Sequence, residues 1–146
     1  SLNAMCDLIV KEAADGDLVQ RGQILIAPGR RQMKVVRSPQ GARIKITDDP
    51  PMHNCRPAVD YLFKSAVDVF GWETLGLIMT GMGSDGTDGC RLIKHAGGSV
   101  IAQSPDSCVV YGMPRIPVEE GLADSVVPLA NLAEELQAYT VQEVTV

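Results

Sequence analysis

The run from Leu75 to Gly86 limits the folds open to this chain more than any other stretch. Leu75, Leu77, Ile78 and Met79 form an apolar run too short for a helix and bounded by turn signals, so it reads as a buried strand. Gly81, Gly83 and Gly86 follow at once. Glycine permits positive φ and a close approach of the backbone to another group. From Thr87 a helical pattern begins, with Cys90, Leu92, Ile93 and Ala96 on its apolar side. It stops at Gly97-Gly98, with Lys94 and His95 in its last turn, where cations complement a helix end. Ser99 to Gln103 is then a second short strand. Strand, helix and strand in this order imply a right-handed parallel crossover. The expected fold class is α/β, with a mostly parallel, doubly wound sheet.

In such sheets ligands gather at the carboxyl ends of strands, and loop N–H groups with a helix N-terminus favour negative charge there. Yet this loop itself carries a carboxylate, Asp85. Three readings of Asp85 follow. It caps the helix behind it. Or Gly81-x-Gly83-x-x-Gly86 binds a dinucleotide, with Asp106 on the ribose, although that motif belongs on the first strand of its unit and Asp85 repels a pyrophosphate. Or Asp85 orients a histidine in a hydrolytic triad while loop N–H groups receive an oxyanion.

The rest of the chain supplies a single domain around this unit. At 146 residues it is long enough for one proper core. Leu8 to Val10 and Gln23 to Ala27 read as short strands, the second of them buried, and Leu2 to Met5 as the tail of a helix. Met33 to Arg37 and Arg43 to Thr47 alternate polar and apolar and read as an antiparallel hairpin with one wet face. Arg30, Arg31, Lys34, Arg37, Arg43 and Lys45 gather there, read as a solvated face in preference to a docking patch. Pro57 suits the first turn of the next helix. Val59, Leu62, Phe63, Ala66, Val67 and Phe70 form its core stripe, and Gly71 ends it. Asp60, Lys64 and Asp68 lie at i+4 spacing on the opposite side. A short helix from Pro114, a strand over Ser125 to Val127 and an amphipathic terminal helix through Leu129, Leu132, Ala133 and Leu136 complete the chain, with a tail from Thr140 expected to fray.

Composition excludes several functions. Net charge is −5 and no basic stripe appears, which argues against nucleic acid as a partner. No apolar run approaches the roughly 18 residues of a membrane span. Cys6, Cys55, Cys90 and Cys108 are widely spaced without a CxxC, as expected of reduced thiols in the cytoplasm. His53 with Cys55, and Cys90 with His95, lack a partner pair at ligand spacing, so neither a metal site nor a cofactor is expected.

Thr80 and Gly81-Met-Gly-Ser-Asp-Gly86, with Gly89 behind, resemble the TGMGxDGxxG signature of the CheB family of chemotaxis protein-glutamate methylesterases. Ile26-Ala-Pro-Gly29, Asp49-Pro-Pro51, Arg56-Pro-Ala-Val-Asp60, Gly97-Gly98, Ile101-Ala-Gln103 and Val110-Tyr-Gly-Met-Pro-Arg115 are similar to other segments of that family, in the same order. The likeness runs from about Val10 to Leu136. It decides between the three readings of the loop, because several linked motifs are more specific than one glycine loop.

The resemblance implies a Rossmann-like three-layer domain that hydrolyses glutamate methyl esters on chemoreceptors and deamidates receptor glutamines through a Ser-His-Asp triad. It implies that Asp85 is the triad acid and that Met82 lends a backbone N–H to the oxyanion hole. Gly81, Gly83 and Gly86 shape the loop, and Cys108, Tyr111 and Met113 are candidate pocket walls. The family's early Gly-x-Ser-Thr-Gly-Gly and Gln-His-Met-Pro motifs, which carry the Ser and His, are not in this sequence. Residues 1–146 are therefore expected to be the back part of a catalytic domain without its leading strands and without a receiver domain, inactive alone. Methylated receptor helices are the expected partners, with self-association through an exposed sheet edge. A receptor-binding module without catalysis is the alternative. Asp85→Asn is expected to leave the fold intact and to abolish most turnover.

Overall fold

The computed structural model describes residues 8–141. The helix tail expected at Leu2 to Met5, and Cys6, lie outside the described residues. Two parallel strands come first, β1 (Ile9–Glu12) and β2 (Gln23–Ile26). An antiparallel hairpin follows, β3 (Gln32–Ser38) and β4 (Gly41–Thr47), with Gln32 opposite Thr47 and Ser38 opposite Gly41. Helix α1 (Val59–Phe70) leads through a short 3₁₀ turn into strand β5 (Leu75–Ile78). Then come α2 (Thr87–His95), β6 (Ser99–Gln103), α3 (Arg115–Glu119), β7 (Ser125–Val127) and α4 (Leu132–Val141). Strands β5, β6 and β7 form one parallel sheet in that order, with Leu75 beside Ser99 and Ile101 beside Ser125. The chain is thus a mixed α/β fold, mostly parallel, with one antiparallel pair.

Two apolar clusters hold it together. Ile78, Cys90, Ile93 and Val100 form one beneath the β5–β6 sheet, and Val59, Phe63, Val67 and Met113 pack against it. Ala13, Met33 and Ile44 form the other, with Val19, Leu25, Val35 and Leu62 around it. The apolar stripe of α1 divides between the clusters instead of sinking into one core. Its residues are therefore half-buried. Ser65 on α1 accepts the Val35 N–H at 2.9 Å and fastens the helix to the hairpin.

Strand β2 departs from the sequence expectation. It is not buried: Ile24 is 39% exposed and Ile26 45%, as are Leu8 and Ile9 to similar or greater degree. In β2 only Leu25 packs against the second cluster, so Ile24 and Ile26, which alternate with it along the strand, face away and stay exposed. Helix α2 stops where expected. Gly97 adopts φ +88°, and a Cβ on Gly98 would stand 2.5 Å from the Thr74 carbonyl oxygen. No helix of the described residues is long and apolar enough to cross a membrane.

Candidate functional site

The loop from Met79 to Gly86 leaves the carboxyl end of β5 and delivers the chain to α2. Its entry is pinned. The Thr80 N–H donates to Gln103 Oε1 at 2.8 Å, and Gln103 is fully buried. Thr80 Oγ1 accepts from Val110 N at 2.9 Å, while Gly81 exchanges backbone bonds with Val110, Gly112 and Met113. The 108–113 segment thereby braces the loop from one side. That contact dictates glycines: a Cβ on Gly112 would meet the Gly81 oxygen at 2.6 Å, and one on Gly81 would meet the Met113 sulfur at 2.5 Å. Gly86 is needed twice over, with φ +102° and Ile78 Cδ1 only 2.7 Å from its would-be Cβ.

Within this frame Asp85 is 6% exposed. Its Oδ2 accepts the Val59 N–H at 2.7 Å and its Oδ1 the Asp60 N–H at 3.0 Å. Asp85 is indeed a helix cap, but of α1, not of the helix behind it. Helix α2 has Gly86 at its N-cap and no side-chain cap there. Asp60 returns the exchange, because its Oδ1 accepts the Gly89 N–H in the first turn of α2 at 2.7 Å. The two helices swap caps, and each carboxylate meets the positive end of the other's dipole. A third buried side chain joins them: Gln32 Oε1 accepts the Ala58 N–H at 2.9 Å.

Asp60 corrects the sequence reading. It does not lie on the solvent side with Lys64 and Asp68 but is 4% exposed. It occupies the first turn of α1, where its short side chain reaches α2. Burial raises its pKa against the pull of the Gly89 and Gly86 N–H groups, and the neighbouring Asp85 and Asp88 charges raise it further. Gln32 and Asp60 went unnoticed as positioning residues because their partners lie 25 or more residues away. A polar residue in a hairpin strand or an i+4 charged row carries no local mark of that.

The N–H groups of Met82, Gly83 and Ser84 donate to no acceptor among the described residues. The Met82 side chain is 84% exposed, so the loop stands open to solvent at this point. Each Asp85 oxygen has a second lone pair beyond its bond to α1. Asp85 can therefore accept a histidine N–H, while the loop N–H groups are the donors left for an anion. Among the candidate walls, Met113 packs against the apolar cluster behind Gly81, and Tyr111 pairs with Gly81 across the loop. Burial raises the Cys108 thiol, which points to the Gln103 carbonyl oxygen at 3.8 Å. A larger cleft of about 420 Å³, lined by Trp72, Thr74, Leu75, Gly97 and Tyr139, opens at the opposite end of β5, away from all of these residues.

A parallel sheet with an open N–H loop at a strand's carboxyl end, backed by a buried and oriented carboxylate, defines an α/β protein equipped to receive an anion. The comparison with known proteins makes this specific. The family model described as CheB methylesterase matches residues 1–136, and the chain belongs to that family. It is 49% identical over 138 residues to a protein-glutamate methylesterase/protein-glutamine glutaminase of Desulfotalea psychrophila, covering 93% of this chain and 38% of that protein. A Vibrio cholerae protein of the same description, numbered 1, is 43% identical over 92% of this chain and 36% of its own length. The chain thus spans well under half of these relatives. The crystal structure of the Thermotoga maritima CheB methylesterase catalytic domain superposes with a TM-score of 0.90 at 38% identity, over 92% of this chain and 71% of that one. With the family shown, the dinucleotide reading of the glycine loop falls away.

Proposed function

We propose that this chain carries the acid and part of the oxyanion hole of a protein-glutamate methylesterase that also deamidates glutamine. The observation that carries the reading is Asp85, buried and held through both oxygens, beside a Met82 N–H with no acceptor among the described residues. The substrate is a glutamate methyl ester on the cytoplasmic helices of a chemoreceptor. The nucleophilic Ser and its His come from the leading segment of the same catalytic domain, ahead of the residues in this chain. In the intact protein a receiver domain governs access. Reduced Cys55, Cys90 and Cys108 suit a cytoplasmic setting.

This reading implies the following chemistry. Ser attacks the ester carbonyl while His takes its proton. Asp85 holds the His tautomer and stabilises the imidazolium. The carbonyl oxygen, now negative, takes the Met82 N–H. Methanol leaves with the proton from His, and water then clears the acyl-enzyme by the same route. The caps fix Asp85 before substrate arrives, so little reorganisation accompanies the charge. Methanol release by the intact protein from methylated receptor tests this. Asp85→Asn lowers turnover by on the order of 10⁴. Near-normal turnover in that variant would overturn the assignment.

A further inference from the structure

Three side chains from three segments converge beside the exchanged caps. His53 sits at the tip of the turn from Met52 to Cys55, with φ 51° at His53 and 60° at Asn54. Asp60 stands in the first turn of α1 and Asp88 in the first turn of α2. His53 Nε2 lies 3.1 Å from Asp60 Oδ2 and 3.5 Å from Asp88 Oδ2. One donor atom from each residue falls within 4.8 Å of the other two.

The carboxylates are aimed. Asp60 Oδ1 is occupied by the Gly89 N–H, and Asp88 Oδ1 by Arg91 Nη1 at 2.6 Å. Each is left with Oδ2 turned toward the imidazole. Second partners that tie one side of a ligand and fix its orientation are the usual support of a metal site. Asp60 Oδ2 is the telling atom. It belongs to a residue 96% buried, since only 4% is exposed, and it accepts no hydrogen bond among the described residues. The approach of His53 is near enough for an ion pair but lacks the alignment of a hydrogen bond. A buried carboxylate oxygen without a donor is costly, and a cation removes that cost.

The spacing fits a particular kind of cation. Ligands about 2.0–2.1 Å from a tetrahedral ion stand roughly 3.3–3.4 Å apart, and the two His–Asp separations bracket that value. One imidazole with two carboxylates suits zinc and its neighbours over magnesium or calcium, which take oxygen alone. The His53 and Asp88 side chains are 48% and 59% exposed, so an ion enters from solvent and keeps a water. We propose that His53 Nε2, Asp60 Oδ2 and Asp88 Oδ2 form a binding site for a single zinc-class divalent ion. The site does not depend on the methylesterase reading, although the Asp60 N–H touches Asp85.

The test is titration of Zn²⁺ alone into wild-type protein and the variants His53→Asn, Asp88→Asn and Cys55→Ser, by calorimetry in a buffer free of chelators. Asn tolerates the left-handed backbone at position 53. Circular dichroism confirms that each variant is folded, and His53→Asn decides alone should Asp88→Asn not fold. The expected result is one saturable equivalent, weakened roughly tenfold or more in His53→Asn and Asp88→Asn and unchanged in Cys55→Ser. Co²⁺ bound in its place gives visible bands without thiolate charge transfer. Zn²⁺ binding that is absent, that is unchanged in His53→Asn, or that is lost in Cys55→Ser overturns the proposal.

Discussion

Replacing Asp85 by Asn tests the exchange of caps. Asp85 offers an acceptor to both Val59 N and Asp60 N, at 2.7 and 3.0 Å, from a site only 6% exposed. Asn has one acceptor oxygen, so in either orientation its NH₂ faces one of the two donors. One charge-assisted bond is lost, worth about 1.5–3 kcal/mol, and the abandoned N–H is buried. The attraction of the charge for the dipole of α1 goes too, about 0.3–1 kcal/mol. Screening by solvent is slight at this burial, so the expected loss is about 2–4 kcal/mol. For a chain of this size that is a fall in Tm of roughly 6–13 °C. Urea unfolding followed by far-UV circular dichroism measures it, with exposed Asp106→Asn as a control expected within about 0.5 kcal/mol of wild type. Amide exchange at Val59 and Asp60 should quicken in the same variant. The sequence alone suggested an intact fold after this change, and the caps revise that to a folded but weakened one. If Asp85→Asn unfolds at the wild-type urea midpoint, the cap bonds carry no net stability and the reasoning fails.

Asp60 gives a prediction of opposite sign. Its raised pKa means that the folded state holds its proton more tightly, so its contribution lowers stability as pH rises from the ordinary carboxylate range through the native value. Asp60→Asn should flatten that part of the stability–pH curve, and an unaltered slope in urea melts across pH would refute it. Gly86→Ala should cost more than Gly83→Ala, because both have positive φ but only Gly86 also meets Ile78, whereas Gly83 faces open space. Equal urea midpoints would contradict this. Cys90 is fully buried and its thiol is pushed up to about 12, first by burial and then by Asp60, so it should react with a thiol reagent more slowly than Cys55 or Cys108 in the native protein. Labelling followed by peptide mass mapping decides it. The outward Leu8, Ile9, Ile24 and Ile26 should make the chain self-associate, seen as a concentration-dependent sedimentation coefficient, and a monomer at all concentrations would count against it.

Much of the frame was legible because it rests on local rules. The 3.6-residue stripe marked α1, and the glycines at 71 and 97 marked helix ends. The polar–apolar alternation marked the hairpin, and the glycines at 81, 83 and 86 marked the loop after β5. Illegible features were those set by tertiary neighbours. The sequence of β2 reads as buried, but only Leu25 reaches the second cluster, which leaves Ile24 and Ile26 exposed. Asp60 looks like part of a wet row, and only the approach of α2 buries it. Asp85 looks like the cap of its own helix, and only the fold directs it to a helix that begins 26 residues earlier. His53, Asp60 and Asp88 carry no ligand spacing because the turn and two helices each contribute one residue.

The assignment of Asp85 as triad acid is tested most directly by turnover per folded molecule. Methanol release from methylated receptor is measured for the intact wild-type and Asp85→Asn proteins, with the folded fraction read from the same samples by circular dichroism. A loss on the order of 10⁴ that persists after correction for folding is the predicted result. A loss that vanishes on correction would make Asp85 a helix cap alone and contradict its place in the reaction.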